Sequence, residues 1–122
     1  MFTIGLHATS LLIWGIVLHL FVDWILQNHW MAQNKSSLLH PASWVHSGLH
    51  FLGLLLIFSP VVALAIALIH LLIDTRVPLQ FWRKFYRQTT TGDVALHVAM
   101  WSDQTLHVVA IAIAALVVGG LK

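Results

Sequence analysis

The chain has 122 residues, of which 59% are hydrophobic and only 8% charged, with a formal net charge of +2. That charge density is far below the roughly 25% of ordinary soluble domains, and the length bounds the chain to one domain, 1–122. Having no cysteine, it excludes disulfides and thiolate metal sites. The few basic residues sit where membrane topology places them, so they make no case for a nucleic-acid partner.

Hydropathy predicts an all-α, polytopic membrane protein, a four-transmembrane-helix antiparallel bundle. Its helices are expected at about 4–28, 41–58, 60–76 and 93–118, with an interfacial segment at about 79–87. The first helix lacks a basic n-region and contains His19 and Asp23, so it is expected to be retained as a span and not cleaved. The second and third meet at Ser59-Pro60, a helix-start signal, and such a short connection makes them an antiparallel hairpin. The interfacial segment mixes Phe81, Trp82 and Phe85 with Arg83 and Lys84, which suits aromatic rings at headgroup level. In the fourth helix, Asp93 reads as an N-terminal cap or dipole partner, and Ala110, Ala112, Ala114 and Ala115 as a close packing surface.

Lys35 lies in the first connection, and Arg76, Arg83, Lys84 and Arg87 in the third. The positive-inside rule therefore makes those connections cytoplasmic, in an inner (cytoplasmic) membrane. Both termini then fall on the non-cytoplasmic side, where Lys122 is the sole basic residue.

Each predicted helix carries two metal-capable side chains at spacing i, i+4: His19 with Asp23, His46 with His50, His70 with Asp74, and Asp103 with His107. Residues at that spacing share a helix face, and ionisable groups inside lipid are costly. Random placement would give only about one such pair. The order within the pairs reverses on the antiparallel fourth helix, so Asp always lies nearer the cytoplasm and His deeper. Two layers follow: Asp23, His46, Asp74 and Asp103 nearer the cytoplasm, and His19, His50, His70 and His107 about 6 Å beneath them.

Eight N and O donors suit one or two divalent ions. Zn is the first candidate and Mn or Fe are compatible, whereas haem is a poor match for the Asp partners. Asp residues left over from ligation would hold a His tautomer or serve as general base, for which Asp23, Asp74 and Asp103 are the candidates. A hydrogen-bonded helix-packing network or a proton relay is the plainer reading. Interhelical polar contacts are worth only about 0.6–2 kcal/mol each, which makes eight residues an extravagant packing device.

Gln27 continues the His19–Asp23 face toward the cytoplasmic mouth, where Asn34, Lys35 and Arg76 would hold an anionic group such as phosphate. Gln104 points roughly 100° from Asp103 and is a weaker ligand candidate. His7, His29 and His40 lack helical partners and are expected at the interface.

The run from His19 through Asp23 to Gln27 (HLFVDWILQ), followed by Asn34-Lys35, resembles a bacterial and phage family of small integral membrane proteins known as a domain of unknown function. His70–Asp74 (HLLID) and Asp103–His107 (DQTLH) resemble that family's other hallmark stretches. The resemblance spans essentially the whole chain and implies the membrane fold and the site positions, without an activity.

Three functions follow as expectations. The first is a metal-dependent hydrolase acting on a lipid or lipid-linked phosphate at the cytoplasmic face, with Gln27, Lys35 and Arg76 binding substrate. The second is a divalent-cation or proton transporter, disfavoured by the apolar far halves of the first and fourth helices. The third is a non-catalytic accessory membrane protein with a structural polar or metal site. The lipid bilayer is the expected partner in each case, and a homo-oligomer is left open.

Overall fold

The computed structural model describes residues 6–88 and 91–120. All regular structure among them is helical. In chain order it comprises α1 (Leu6–Leu20), a π-helical turn continuing it (Phe21–Ile25), α2 (His29–Asn34), α3 (Pro41–Leu54), α4 (Pro60–Asp74), α5 (Val77–Phe85) and α6 (Gly92–Gly119). The start expected for the first helix, near residue 4, and Lys122 lie outside the described residues.

The helix starts follow local chemistry. Asn28 caps α2, its side-chain oxygen accepting the Met31 N–H at 2.9 Å. His40, expected only at an interface, caps α3: its Nδ1 accepts the Ala42 N–H at 3.0 Å, with Pro41 in the first turn. Ser59 and Pro60 open α4 in the same way. At the other end of α4, Arg76 takes a left-handed backbone (φ 65°), and the chain bends by 56° into α5. A non-glycine residue in that region costs roughly 1–2 kcal/mol, so the bend is held by its surroundings. Thr91 at the cap position of α6 makes no side-chain capping bond, and Asp93 lies in the first turn, where a negative charge complements the helix dipole.

Several helix limits differ from expectation. α3 ends at Leu54 and not near 58, because residues 55–58 tighten into turns before Ser59. With 14 and 15 residues, α3 and α4 are each only about 21–23 Å long, short of a hydrocarbon core of about 30 Å. Two helical stretches, His7–Ile25 and Gly92–Gly119, are long and apolar enough to cross a membrane, and the bent α4–α5 pair makes a third if taken as one span. The segment expected at the interface forms α5, two residues earlier than expected. α2 was not expected, since HWMAQN carries no apolar periodicity.

α1 packs on α3 and α6, α3 on α4, and α4 on α6, closing a cycle of four helices. Toward the Ser59 connection the interior is apolar, built from Leu11, Leu54, Phe58, Ala63, Ile66, Ile111 and Ala115. Outward side chains such as Ile13, Trp14, Leu52, Leu56, Val61, Ile113 and Val117 leave an apolar outer surface. Small residues let helices approach closely, which strengthens their packing. α1 and α6 approach in this way: a Cβ on Gly119 would lie 2.5 Å from the Ala8 backbone, and one on Gly15 would lie 2.5 Å from Ile111 Cγ2.

Candidate metal centre

Each of the four packed helices turns part of one His/Asp pair, or all of it, into the common interior. His19, Asp23, His46, His50, His70, Asp74 and His107 are all buried, none more than 4% exposed. The eighth expected member, Asp103, lies at the edge with its side chain 18% exposed. The π-helical turn of the first span contains Asp23; turns of this kind recur at functional sites because they re-aim a side chain without ending the helix.

Asp23 and Asp74 are the two hubs. Asp23 Oδ1 lies 3.0 Å from Nε2 of both His46 and His50, and its Oδ2 lies 3.3 Å from His19 Nε2. Asp74 Oδ2 lies 2.9 Å from His70 Nε2 and 3.5 Å from His46 Nε2. Its Oδ1 lies 3.1 Å from His107 Nε2 and 3.9 Å from Lys35 Nζ. Asp103 Oδ2 approaches His107 Nε2 at 3.7 Å. His46 therefore sits between the two carboxylates, and each carboxylate meets three imidazoles.

Two of these contacts are well-formed hydrogen bonds, His50 Nε2–H donating to Asp23 and His107 Nε2–H donating to Asp74. Others are close without being aligned. His46 Nε2, His70 Nε2 and Asp74 Oδ2 are buried and, at separations of 2.9–3.5 Å, have no well-aligned hydrogen-bond partner among the described residues. A buried polar atom left so costs about 1–3 kcal/mol. Donor atoms held at about 2.1 Å by one divalent ion lie roughly 3.0–3.4 Å apart and aim at the ion, not at each other. Close spacing without mutual alignment is that arrangement, so the residues present fit a divalent ion.

Three sets of donor atoms fall within 4.8 Å of one another: Asp23 with His46, His50 and His70; His19 with His70 and His107; and Asp74 with Asp103 and His107. The first and third share no residue, so separate donors exist for two ions.

The cluster has two unlike faces. On one, His19, His50, His70 and His107 stack with ring centroids 3.7–5.1 Å apart for His50–His70, His70–His107, His19–His107 and His19–His50. They border a cavity of about 10 Å³ lined also by Leu54, Ile66, Ala110 and Ile111. That is room for about one water-sized particle. On the other face, Asp23, Asp74 and Asp103 border a cavity of about 390 Å³ whose walls include Gln27, Lys35, Arg76, Gln80, Arg83 and Gln104. The carboxylates face this large basic cavity, the imidazoles the apolar side.

Gln104 has a larger part than its spacing suggested. His19 Nε2–H donates to its Oε1 at 3.0 Å, and its Nε2 donates to Asp23 Oδ2 at 3.2 Å. Although about 100° from Asp103, it lies only about 60° from His107 around α6, so Asp103 and Gln104 flank the cluster from either side. Measuring from His107 would have found it. Gln27 reaches the cavity wall with a buried Oε1 that has no hydrogen-bond partner among the described residues. His7, His29 and His97 take no part in the cluster.

No curated protein and no solved structure matches the chain. Residues 11–122 match the family described as "Protein of unknown function (DUF3307)", and the chain belongs to that family.

Proposed function

We propose that this protein is a membrane-embedded metal-dependent hydrolase acting on a lipid or lipid-linked phosphate. The His/Asp cluster would hold one or two divalent ions, Zn first, with Mn or Fe compatible with the mixed imidazole and carboxylate donors. α1, α3, the bent α4–α5 pair and α6 would alternate in direction across the inner membrane. The basic connections would be cytoplasmic and both termini opposite. The apolar outer surface and the two span-length helices support the membrane setting.

One observation carries the reading: unaligned Nε2 and carboxylate atoms surround a common centre whose carboxylate face alone opens to a basic cavity of about 390 Å³. When bound, the ion supplies Lewis acidity and a readily deprotonated water. Lys35 and Arg76 hold the phosphate in charge-assisted hydrogen bonds, with Gln27 offering a further polar contact. Asp103 is the catalytic base. It is the least engaged carboxylate, and its Oδ1 has no hydrogen-bond partner among the described residues. It takes a proton from the attacking water as the water oxygen bonds to phosphorus. The phosphorus–oxygen bond to the alcohol then breaks, and the proton passes to the departing alkoxide. Leu54, Ile66 and Ile111 make the far side apolar, which disfavours a transport path through the same cluster.

The test is release of inorganic phosphate from phosphatidic acid and from polyprenyl phosphate by protein in nanodiscs. Release should stop on chelation, return with Zn or Mn, and disappear in Asp103→Asn while the ion of the Asp23, His46, His50 and His70 set is retained. Release indifferent to chelation, or absent from both lipids, would overturn the reading.

A further inference from the structure

α5 separates two spaces of opposite character. Arg76, Gln80 and Arg83, at i, i+4 and i+7, border the basic cavity over the carboxylates. Pro78 and Trp82, at i and i+4, instead line a groove of about 580 Å³ between α5 and α6, closed on the other side by Val98, Trp101 and Leu106. Leu79 is buried between them and is a wall of both. The basic cavity has room for a headgroup, and the groove is mostly apolar, open to the outer surface, and lined also by Ser102 and Thr105.

We infer that the groove between α5 and α6 holds an acyl chain of an anionic membrane lipid whose phosphate sits in the adjoining basic cavity, against Lys35 and Arg76. This rests on the hydrolase reading for what happens to the lipid, but not for its binding. The order of surfaces carries the assignment: cations beside the carboxylate floor, then Leu79, then an apolar trough ending at exposed Trp82 and Trp101. A soluble phosphate would leave the groove empty, and a zwitterionic lipid would set its ammonium group among the cations. An anionic headgroup with an attached chain satisfies both spaces. The 56° bend at Arg76 turns α5, the wall shared by the two spaces, away from the α4 axis.

Brominated acyl chains quench tryptophan on contact, which reads lipid binding directly, and carrying Asp103→Asn in every sample keeps the phosphatidic acid from being hydrolysed. Protein in phosphatidylcholine nanodiscs would be doped with brominated phosphatidic acid, or with brominated phosphatidylcholine at the same fraction. Phosphatidic acid should quench more strongly. Replacing Lys35 and Arg76 together by Gln should cut that preference roughly tenfold or more, as expected for lost charge-assisted bonds. Replacing Trp82 and Trp101 by Phe should remove the extra quenching, and Ser102→Phe or Thr105→Phe should abolish the preference by filling the groove. Either groove-filling variant suffices, provided that it elutes as one species with unchanged helical circular dichroism.

Equal quenching by the two lipids, or a preference that survives a folded groove-filling variant, would overturn the inference. Metal content measured on the same samples separates the two readings. Lipid preference without metal contradicts the hydrolase alone, and metal without lipid preference contradicts the groove alone.

Discussion

Among the individual residues, Asp23 and Asp74 differ from Asp103 in what surrounds them. Each of the first two meets three imidazole nitrogens, whereas Asp103 approaches only His107, at 3.7 Å. Asp23→Asn should therefore lose metal by more than tenfold, while Asp103→Asn keeps the ion of the Asp23, His46, His50 and His70 set and loses hydrolysis, as read by elemental analysis beside phosphate release. Gln104 orients from outside the donor sets: it joins His19 to Asp23 and faces the basic cavity. Removing an orienting partner of this kind typically weakens metal binding by about 10–100-fold. Gln104→Leu should do so in a metal titration, and Thr105→Val, on the exposed face of the same helix, should not. The His/Asp candidates were legible from spacing, because paired ionisable groups on one face of an apolar helix are too costly in lipid to persist without a polar site. Gln104 was not, because its angle from Asp103 points it away from that residue, and only the angle from His107 turns it toward the cluster. The cap formed by His40 was also hidden, since histidine is an unusual residue at that position.

At the level of the helices, the site depends on how closely α1 and α6 approach. A Cβ at Gly119 would meet backbone atoms of Ala8, which cannot move aside without parting the two helices. A Cβ at Gly15 would meet only the Cγ2 end of the Ile111 side chain, which can rotate. Gly119→Ala should consequently destabilise the fold by about 1–3 kcal/mol and Gly15→Ala by less, measured by thermal denaturation in detergent. Helix identity was readable from hydropathy and from Ser59-Pro60, but helix length was not. The stretches 55–58 and 75–76 carry no breaker residue, and only the i→i+3 hydrogen bonds and the left-handed Arg76 end the helices early. The π-helical turn at Asp23 left no trace in the pattern either, because it keeps His19 and Asp23 adjacent at 3.3 Å.

For the molecule as a whole, two surfaces of one His/Asp cluster differ in their lining, apolar beside the imidazoles and basic beside the carboxylates. If the four segments alternate across the bilayer, Ser37 and Thr91 lie on one side and Ser59 on the other. The absence of native cysteine makes the test clean. Ser37→Cys and Thr91→Cys should react with an impermeant maleimide from the same side, and Ser59→Cys only from the opposite one. Labelling of all three from one side would make α3 and α4 a re-entrant hairpin, a geometry that their 14 and 15 residues also permit. The central claim, that the cluster holds divalent metal, is tested most directly by elemental analysis of detergent-purified protein beside a His70→Ala, His107→Ala variant. Stoichiometric Zn, Mn or Fe in the wild type, lost in the variant, is the predicted result. Wild-type protein with no stoichiometric metal, or metal retained by the variant, would contradict it.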